Sequence, residues 1–211
     1  MSEKAILYGS MTNRHTLLTS EILYQAYSQG FFPMPEEDSQ EILWYRPDPR
    51  AIIPLDGFKV SRSLKKKIRR NIFEVTYNQN FSQVIESCSN RPVTWINEEI
   101  KEAYKELYLM GLAHSVEIWL TTGEDSKRLV GGVYGVGFGA AFFAESMFHK
   151  ADDASKIALY YLIEQLNQKG FDLLECQFLT SHLKSLGAVE IEDTFYMKML
   201  RNALKKRRNF L

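Results

Sequence analysis

Gly139-Ala-Ala-Phe-Phe-Ala-Glu-Ser-Met-Phe148 is nearly all apolar and aromatic and carries no helix cap, so Gly139 to Met147 reads as a buried strand. Asp152 and Asp153 then offer an N-cap. Ala154, Ile157, Ala158, Tyr161, Leu162 and Leu166 follow at helical spacing, and Gly170 supplies the stop. Phe171 to Phe178 (FDLLECQF) reads as a second buried strand. Strand, helix and strand at this spacing make a βαβ unit, in which the two strands run parallel. Ligands of open parallel sheets sit beyond the carboxyl ends of the strands. Those ends carry Glu145 on the first strand and Glu175 and Gln177 on the second. The last two are two residues apart and are expected on one face. A lone strand carboxylate is commonly a structural ion-pair partner, but three hydrogen-bonding groups meeting in one crevice make a candidate site.

Around this unit the chain alternates helix and strand. Ser20 is positioned to cap a helix over 21–29 that Gly30 ends. The prolines and aromatics of 31–50 predict an irregular loop region, and Ala51 to Leu55 a short strand. These make a small N-terminal domain over 1–60, leaving 61–211 as the larger one. Phe73 to Thr76 reads as a strand. Phe81, Val84, Ile85 and Cys88 mark an amphipathic helix, and Asn97 caps another that Gly111 stops. Ala113 to Leu120 alternates as a strand, and a polar turn covers 121–127. Gly131, Gly132, Gly135, Gly137 and Gly139 predict a hairpin with close backbone approaches or bulges. They do not make a phosphate loop, because the helix start and Lys-Ser/Thr are missing. Thr180 or Ser181 starts a short helix, and Val189 to Ile191 and Phe195 to Leu200 are expected as closing strands. The class is α+β with a mixed sheet and a βαβ core.

With 26 basic and 26 acidic residues among 211, the net charge is zero, so any polyanion must be held by a local patch. One is available. In Ser61-Arg-Ser-Leu-Lys-Lys-Lys-Ile-Arg-Arg70 a helix places Arg62, Lys65, Lys66, Arg69 and Arg70 on one side, with Leu64, Ile68 and Ile72 on the other. The tail Lys205 to Arg208 is a second basic cluster, given little weight because terminal tails are often unordered. Cys88 and Cys176 fit a reduced cytosolic protein, and the four histidines show no zinc spacing. No signal peptide and no membrane-spanning apolar run are evident, so a soluble, cytoplasmic protein without membrane association is expected.

Ten segments, AYSQGFFPM, WYRPDPRAIIPL, SRSLKK, TWIN, AHSVEIW, LVGGVYGVGFG, ESMF, ASKIAL, LLECQF and HLKSLGA, occur in one order between about residues 20 and 200. Together they resemble the leucyl/phenylalanyl-tRNA–protein transferase family. The resemblance implies a C-terminal domain similar to the N-acetyltransferases (GNAT-like) behind a small N-terminal domain. It also implies transfer of Leu, Phe or Met from aminoacyl-tRNA to acceptor proteins with N-terminal Arg or Lys, which marks them for the bacterial N-degron pathway. No cofactor and no metal are implied, and a monomer is the default expectation.

Carried over residue by residue, the resemblance makes Glu175 and Gln177 the catalytic pair and Glu145 the substrate-facing carboxylate. The amino-acid pocket falls on Phe142, Met147, Leu162 and Leu174, and Trp95 maps to the aromatic that holds the terminal adenosine. Arg62, Lys65, Lys66, Arg69 and Arg70 are the tRNA-binding set. Two departures stand out: Glu175 replaces the usual Asp, and Met34 stands where some members have a stacking Trp. The aminoacyl ester is already activated, so alignment of amine and carbonyl plus loss of one proton suffices for transfer. Two other readings stay open from the residues alone: an acyl-CoA N-acetyltransferase, although its pyrophosphate turn is missing, and a non-enzymatic RNA-binding module.

Overall fold

The computed structural model describes residues 18–36, 41–91, 94–122 and 126–211. The polar turn expected at 121–127 therefore lies partly outside the described residues, as does the N-terminal end of the small domain. The chain opens with α1 (Ser20–Ser28), then β1 (Phe32–Pro35), β2 (Ile42–Tyr45) and β3 (Arg50–Ile52). Next come α2 (Arg62–Arg69), β4 (Glu74–Tyr77), α3 (Phe81–Ser89), α4 (Glu98–Leu109) and β5 (Ala113–Thr121). The second half holds β6 (Lys127–Phe138), β7 (Ala141–His149), α5 (Ala154–Lys169), β8 (Leu173–Glu175), α6 (Ser181–Ser185), β9 (Val189–Ile191) and α7 (Asp193–Leu204).

Seven strands make one mixed sheet in the order β4-β5-β6-β7-β8-β3-β9. The βαβ unit is present: β7 and β8 pair in parallel, the one parallel pairing in the sheet among the described residues, with α5 between them in sequence. Gly170 takes the left-handed conformation that ends α5. Two local expectations differ. Asp153 stands at the N-cap position of α5 in a left-handed conformation and makes no cap hydrogen bond; its carboxylate instead holds Lys67 at 2.6 Å and Lys156 at 2.9 Å. The second strand is three residues long rather than eight, because the chain leaves the β region at Gln177, whose φ is 63°.

The other corrections follow from local chemistry. Thr19, not Ser20, caps α1, its hydroxyl accepting from the Ile22 amide. The segment expected as loop over 31–50 contains the antiparallel pair β1–β2. Pro33 and Pro35 are tolerated there because a two-stranded ribbon leaves each strand an unpaired edge. The strand expected at 51–55 is Arg50–Ile52, set in the large sheet between β8 and β9. Phe195 to Leu200 is helix: Tyr196, Met197, Leu200 and Ala203 are buried at 3.6-residue spacing, and the apolar residues between them had mimicked a strand. Ile72 falls beyond the end of α2 and is exposed, so of the three apolar residues Leu64 and Ile68 dock that helix.

Two apolar clusters cover the sheet. Side chains of α1, α3, α4 and α7 pack on one face, and those of α5 with Leu64 of α2 on the other. Between β6 and β7 the register slips: Tyr134 pairs with Ser146 and Gly135 with Ala144, so Glu145 is the extra, bulged residue. The bulge reverses the alternation for the residues that follow it, Met147 and Phe148. Phe143 and Phe148 join the α1/α4 face, while Phe142, Ala144 and Met147 join the α5 face.

Candidate active site

The two parallel strands part after the rung Phe143–Glu175, and Glu145 and Gln177 stand just beyond it. The crevice thus opens at the carboxyl ends of β7 and β8, where parallel sheets place ligands. Glu145 lies on the α1/α4 face, two residues on from Phe143. Its Oε1 accepts from the Tyr27 hydroxyl at 2.6 Å, and the Tyr27 hydroxyl also hydrogen-bonds that of Tyr104. Its Oε2 accepts from Gln177 Nε2 at 2.8 Å. Burial pushes the Glu145 carboxyl up to about 8, with the Glu175 charge adding to it and the hydrogen bonds opposing.

Glu175 meets a different fate. It is fully buried, and its Oε1 accepts from Arg50 Nη1 at 2.9 Å and from the Gln177 amide at 2.7 Å. Burial raises its carboxyl and the guanidinium opposes that rise. A charge-assisted bond plus a backbone donor on one oxygen is the geometry of an ionised carboxylate. Arg50 is equally buried. Its other terminal nitrogen donates to the Gly30 carbonyl, and its guanidinium lies 4.5 Å from the Tyr196 ring centre and 5.4 Å from that of Phe32. Gly30 presents that carbonyl because it adopts φ 82° at the end of α1. Among the described residues four buried side-chain atoms have no hydrogen-bond partner: Arg50 Nε, Glu175 Oε2, Tyr196 Oη and Tyr134 Oη. Three of them line this ion pair, and such residues of unsatisfied polarity concentrate at functional sites.

The predicted pair therefore converges, by a route other than the expected one. Strand alternation does not place Gln177 beside Glu175. A left-handed residue does, at an expected cost of about 1–3 kcal/mol, and the bonds to both glutamates hold it there. Tyr27, Tyr104, Arg50 and Tyr196 were not singled out from sequence. The signal available for Arg50 was a cation heading an otherwise apolar strand, the same incongruity that marked Glu175. For Tyr27 and Tyr104 it was a phenol on the inward face of a helix, which must find a hydrogen-bond partner.

The remaining predicted residues divide by face. Phe142, Leu162 and Leu174 are buried in the α5-side core, with Phe142 stacked 5.5 Å from Phe210. Met147 packs on that cluster but is half-buried, so of the four it alone reaches the surface. Glu145 points to the opposite face. Trp95 sits half-buried in the segment between α3 and α4 and packs on the α1/α4 face. Met34 lies on β1 opposite Leu43. Arg62, Lys65, Lys66, Arg69 and Arg70 are all exposed on or at the end of α2, capped by Ser61. Lys67 departs from this set by its ion pair with Asp153, which ties α2 to the start of α5. Among the described residues no group of three His, Cys, Asp or Glu could hold a metal ion, and no helix is long and apolar enough to cross a membrane.

The opposite shifts of Glu145 and His114 carry a pH prediction. Glu145 binds its proton more tightly folded than unfolded, so its contribution to stability is full below about pH 4.5 and is lost as pH rises through about 8. His114, buried beside Asn78, is pushed down to about 4, so its contribution rises with pH and is complete by about 6.5. Between about pH 6.5 and 8 Glu145 acts alone of the two. Tm should fall across that interval more steeply in the parent than in Glu145→Gln; parallel curves would show Glu145 to be ionised throughout.

Two family models match the chain: "Leucyl/phenylalanyl-tRNA protein transferase N-terminal domain" over residues 17–48 and "Leucyl/phenylalanyl-tRNA protein transferase" over 52–201. The leucyl/phenylalanyl-tRNA–protein transferase of Ruegeria sp. (strain TM1040) is 47% identical over 195 residues, 92% of this chain and 90% of that one. That of Gloeobacter violaceus is 50% identical over 187 residues, 89% and 94% of the two chains. Among solved structures, that of L-PGS from Bacillus licheniformis is similar with a TM-score of 0.48 and 13% identity, over 90% of this chain and 71% of that one. With both models matched in order and about half of all positions identical to these relatives, the chain belongs to the leucyl/phenylalanyl-tRNA–protein transferase family.

Proposed function

We propose that the chain moves Leu, Phe or Met from aminoacyl-tRNA to the N-terminal Arg or Lys of acceptor proteins. It does so as a cytoplasmic monomer, and its product is a degradation signal of the bacterial N-degron pathway. The observation that carries this reading is the crevice beyond the parallel pair, where a family-matched chain holds Glu145, Gln177 and Glu175 in one hydrogen-bonded cluster. In the reaction the acceptor's α-amine forms a C–N bond to the aminoacyl carbonyl. The ester C–O bond breaks, the amine loses a proton, and the ribose oxygen of the terminal adenosine gains one.

Gln177 is the residue assigned to the amine. Its Nε2 is engaged by Glu145, which fixes the amide plane and leaves Oε1 to accept from the incoming N–H. Glu175 acts from behind, since it is fully buried and its Oε1 is held by Arg50 and the Gln177 backbone N–H. It anchors the Gln177 amide and thereby aims the side chain. Glu145 serves the cationic residue of the acceptor: an arriving guanidinium or ammonium favours its ionised form and releases its proton. Met147 is unbranched and flexible, and is the side chain whose movement admits Leu, Phe or Met toward Phe142, Leu162 and Leu174. One methylene discriminates by only ~1–3 kcal/mol in such a slot, consistent with three accepted side chains. Trp95 and Met34 flank the terminal adenosine. The exposed basic face of α2 holds the acceptor stem through phosphates without reading bases.

The test is incubation of the protein with labelled leucyl-tRNA and a peptide beginning with Arg. Label should enter that peptide and not its N-acetylated form. RNA binding with no transfer to any N-terminus would overturn the reading and leave a binding module.

A further inference from the structure

The C-terminal segment, discounted from sequence as an unordered tail, is tied down. Phe210 is buried between Phe142 and His114, with ring centres at 5.5 and 4.5 Å, and Gln165 donates to its carbonyl. Arg208 donates to the Gly170 carbonyl at 2.8 Å, and Lys206 pairs with Asp172 at 2.6 Å. The ordered segment continues the outer side of α7. Lys198, Arg201 and Lys205 follow one another at i, i+3 and i+7 on the face opposite the buried Tyr196, Met197, Leu200 and Ala203. All three are exposed, as is Arg207, and none of these four side chains has an ion-pair or hydrogen-bond partner among the described residues. No acidic residue follows Asp193 in the chain, although acids and bases are equal in number overall.

We propose that Lys198, Arg201, Lys205 and Arg207 form a second contact for an RNA phosphate backbone, separate from α2. The inference rests on the aminoacyl-tRNA reading above. α2 docks on the α5 face of the sheet and α7 on the other, so the two basic surfaces flank the molecule and do not merge into one stripe. The α7 surface begins beside the crevice, where Tyr196 touches Arg50, and runs ~18 Å away from it along the helix. A single-sign row held on a rigid element follows a polyphosphate without reading bases.

The test compares the parent, the triple variant Lys198→Glu/Arg201→Glu/Lys205→Glu, and an α2 variant, Lys65→Glu/Lys66→Glu/Arg69→Glu. Binding of uncharged tRNA is followed by fluorescence anisotropy from 50 to 200 mM salt. Transfer from a minimal aminoacyl-adenosine checks the site. The triple variant should bind tRNA about tenfold or more weakly, with a log–log salt slope reduced by about 3, while aminoacyl-adenosine transfer is unchanged. Parent affinity and slope in the triple variant, with loss only in the α2 variant, would overturn this inference and leave the α2 reading standing. Parent binding by both variants would overturn both. Should charge reversal damage the site, Lys205→Gln/Arg207→Gln decides instead: a slope reduced by about 2 supports the second contact, and an unchanged slope rejects it.

Discussion

Arg50→Met should destabilise the protein by about 3–5 kcal/mol and abolish measurable transfer. Replacing the guanidinium leaves Glu175 fully buried without its counter-charge, and breaking one half of a buried ion pair costs that much because the remaining charge keeps its desolvation penalty. The contacts to the Gly30 carbonyl and the Tyr196 ring go with it, so α1 and α7 also lose their common anchor. Urea unfolding of Arg50→Met, Glu175→Gln and the double variant separates the pair energy from packing. The double should recover much of the loss, since neutralising both partners removes the buried charge. Transfer should not return, because Gln177 then lacks the ionised anchor for its amide. A single-variant cost below about 1 kcal/mol would show that the pair does not organise this end of the sheet.

Gly135→Ala should be the most damaging single methyl group in the central hairpin. A Cβ at Gly135 would lie 2.2 Å from the Phe143 carbonyl oxygen and 2.6 Å from the Phe142 ring, so backbone and not merely a side chain must move. The register slip that makes Glu145 the extra residue lies at this rung, so movement there re-aims Glu145 away from Tyr27 and Gln177. A cost of at least about 3 kcal/mol is expected, together with loss of acceptor binding. Gly137→Ala is the control: its nearest contact would be the His114 ring at 3.5 Å, an ordinary distance, so its effect should be small. Equal unfolding midpoints for the two variants would remove the close approach from the account.

How far the sequence could be read follows from which forces are local. The βαβ unit was legible because α5 spans many turns with a consistent apolar face and ends on a glycine, and because the strands flanking it are uniformly apolar. The closing element 193–204 was not legible as a helix. Apolar residues occur both at its 3.6-residue positions and between them, and only docking on the α1 side of the sheet decides which are buried. The division at residue 60 was drawn after the strand expected at 51–55, whose own pattern carries no information on strand pairing. Residues 50–52 lie inside the large sheet because of partners more than a hundred residues away. Glu145, Glu175 and Gln177 stood out as candidates because polar groups at the ends of buried strands are incongruous. Their actual geometry was hidden, because it depends on a bulge and a left-handed residue that no period announces. Arg50 and the tyrosines reach the site from separate elements, a purely tertiary fact.

Transfer at the crevice between Glu145 and Gln177, as proposed, requires that Gln177→Gly be slow. Glycine adopts φ 63° freely, so this variant deletes the side-chain amide without disturbing the backbone. The measurement is the single-turnover rate of transfer from saturating labelled leucyl-tRNA to an Arg-initiated peptide, with tRNA affinity determined in parallel. A rate lower by about 10²–10³ is expected, the scale on which loss of one positioned polar group slows a reaction, with tRNA affinity unchanged. A Gln177→Gly protein that transfers at the parent rate would place the chemistry elsewhere on the molecule.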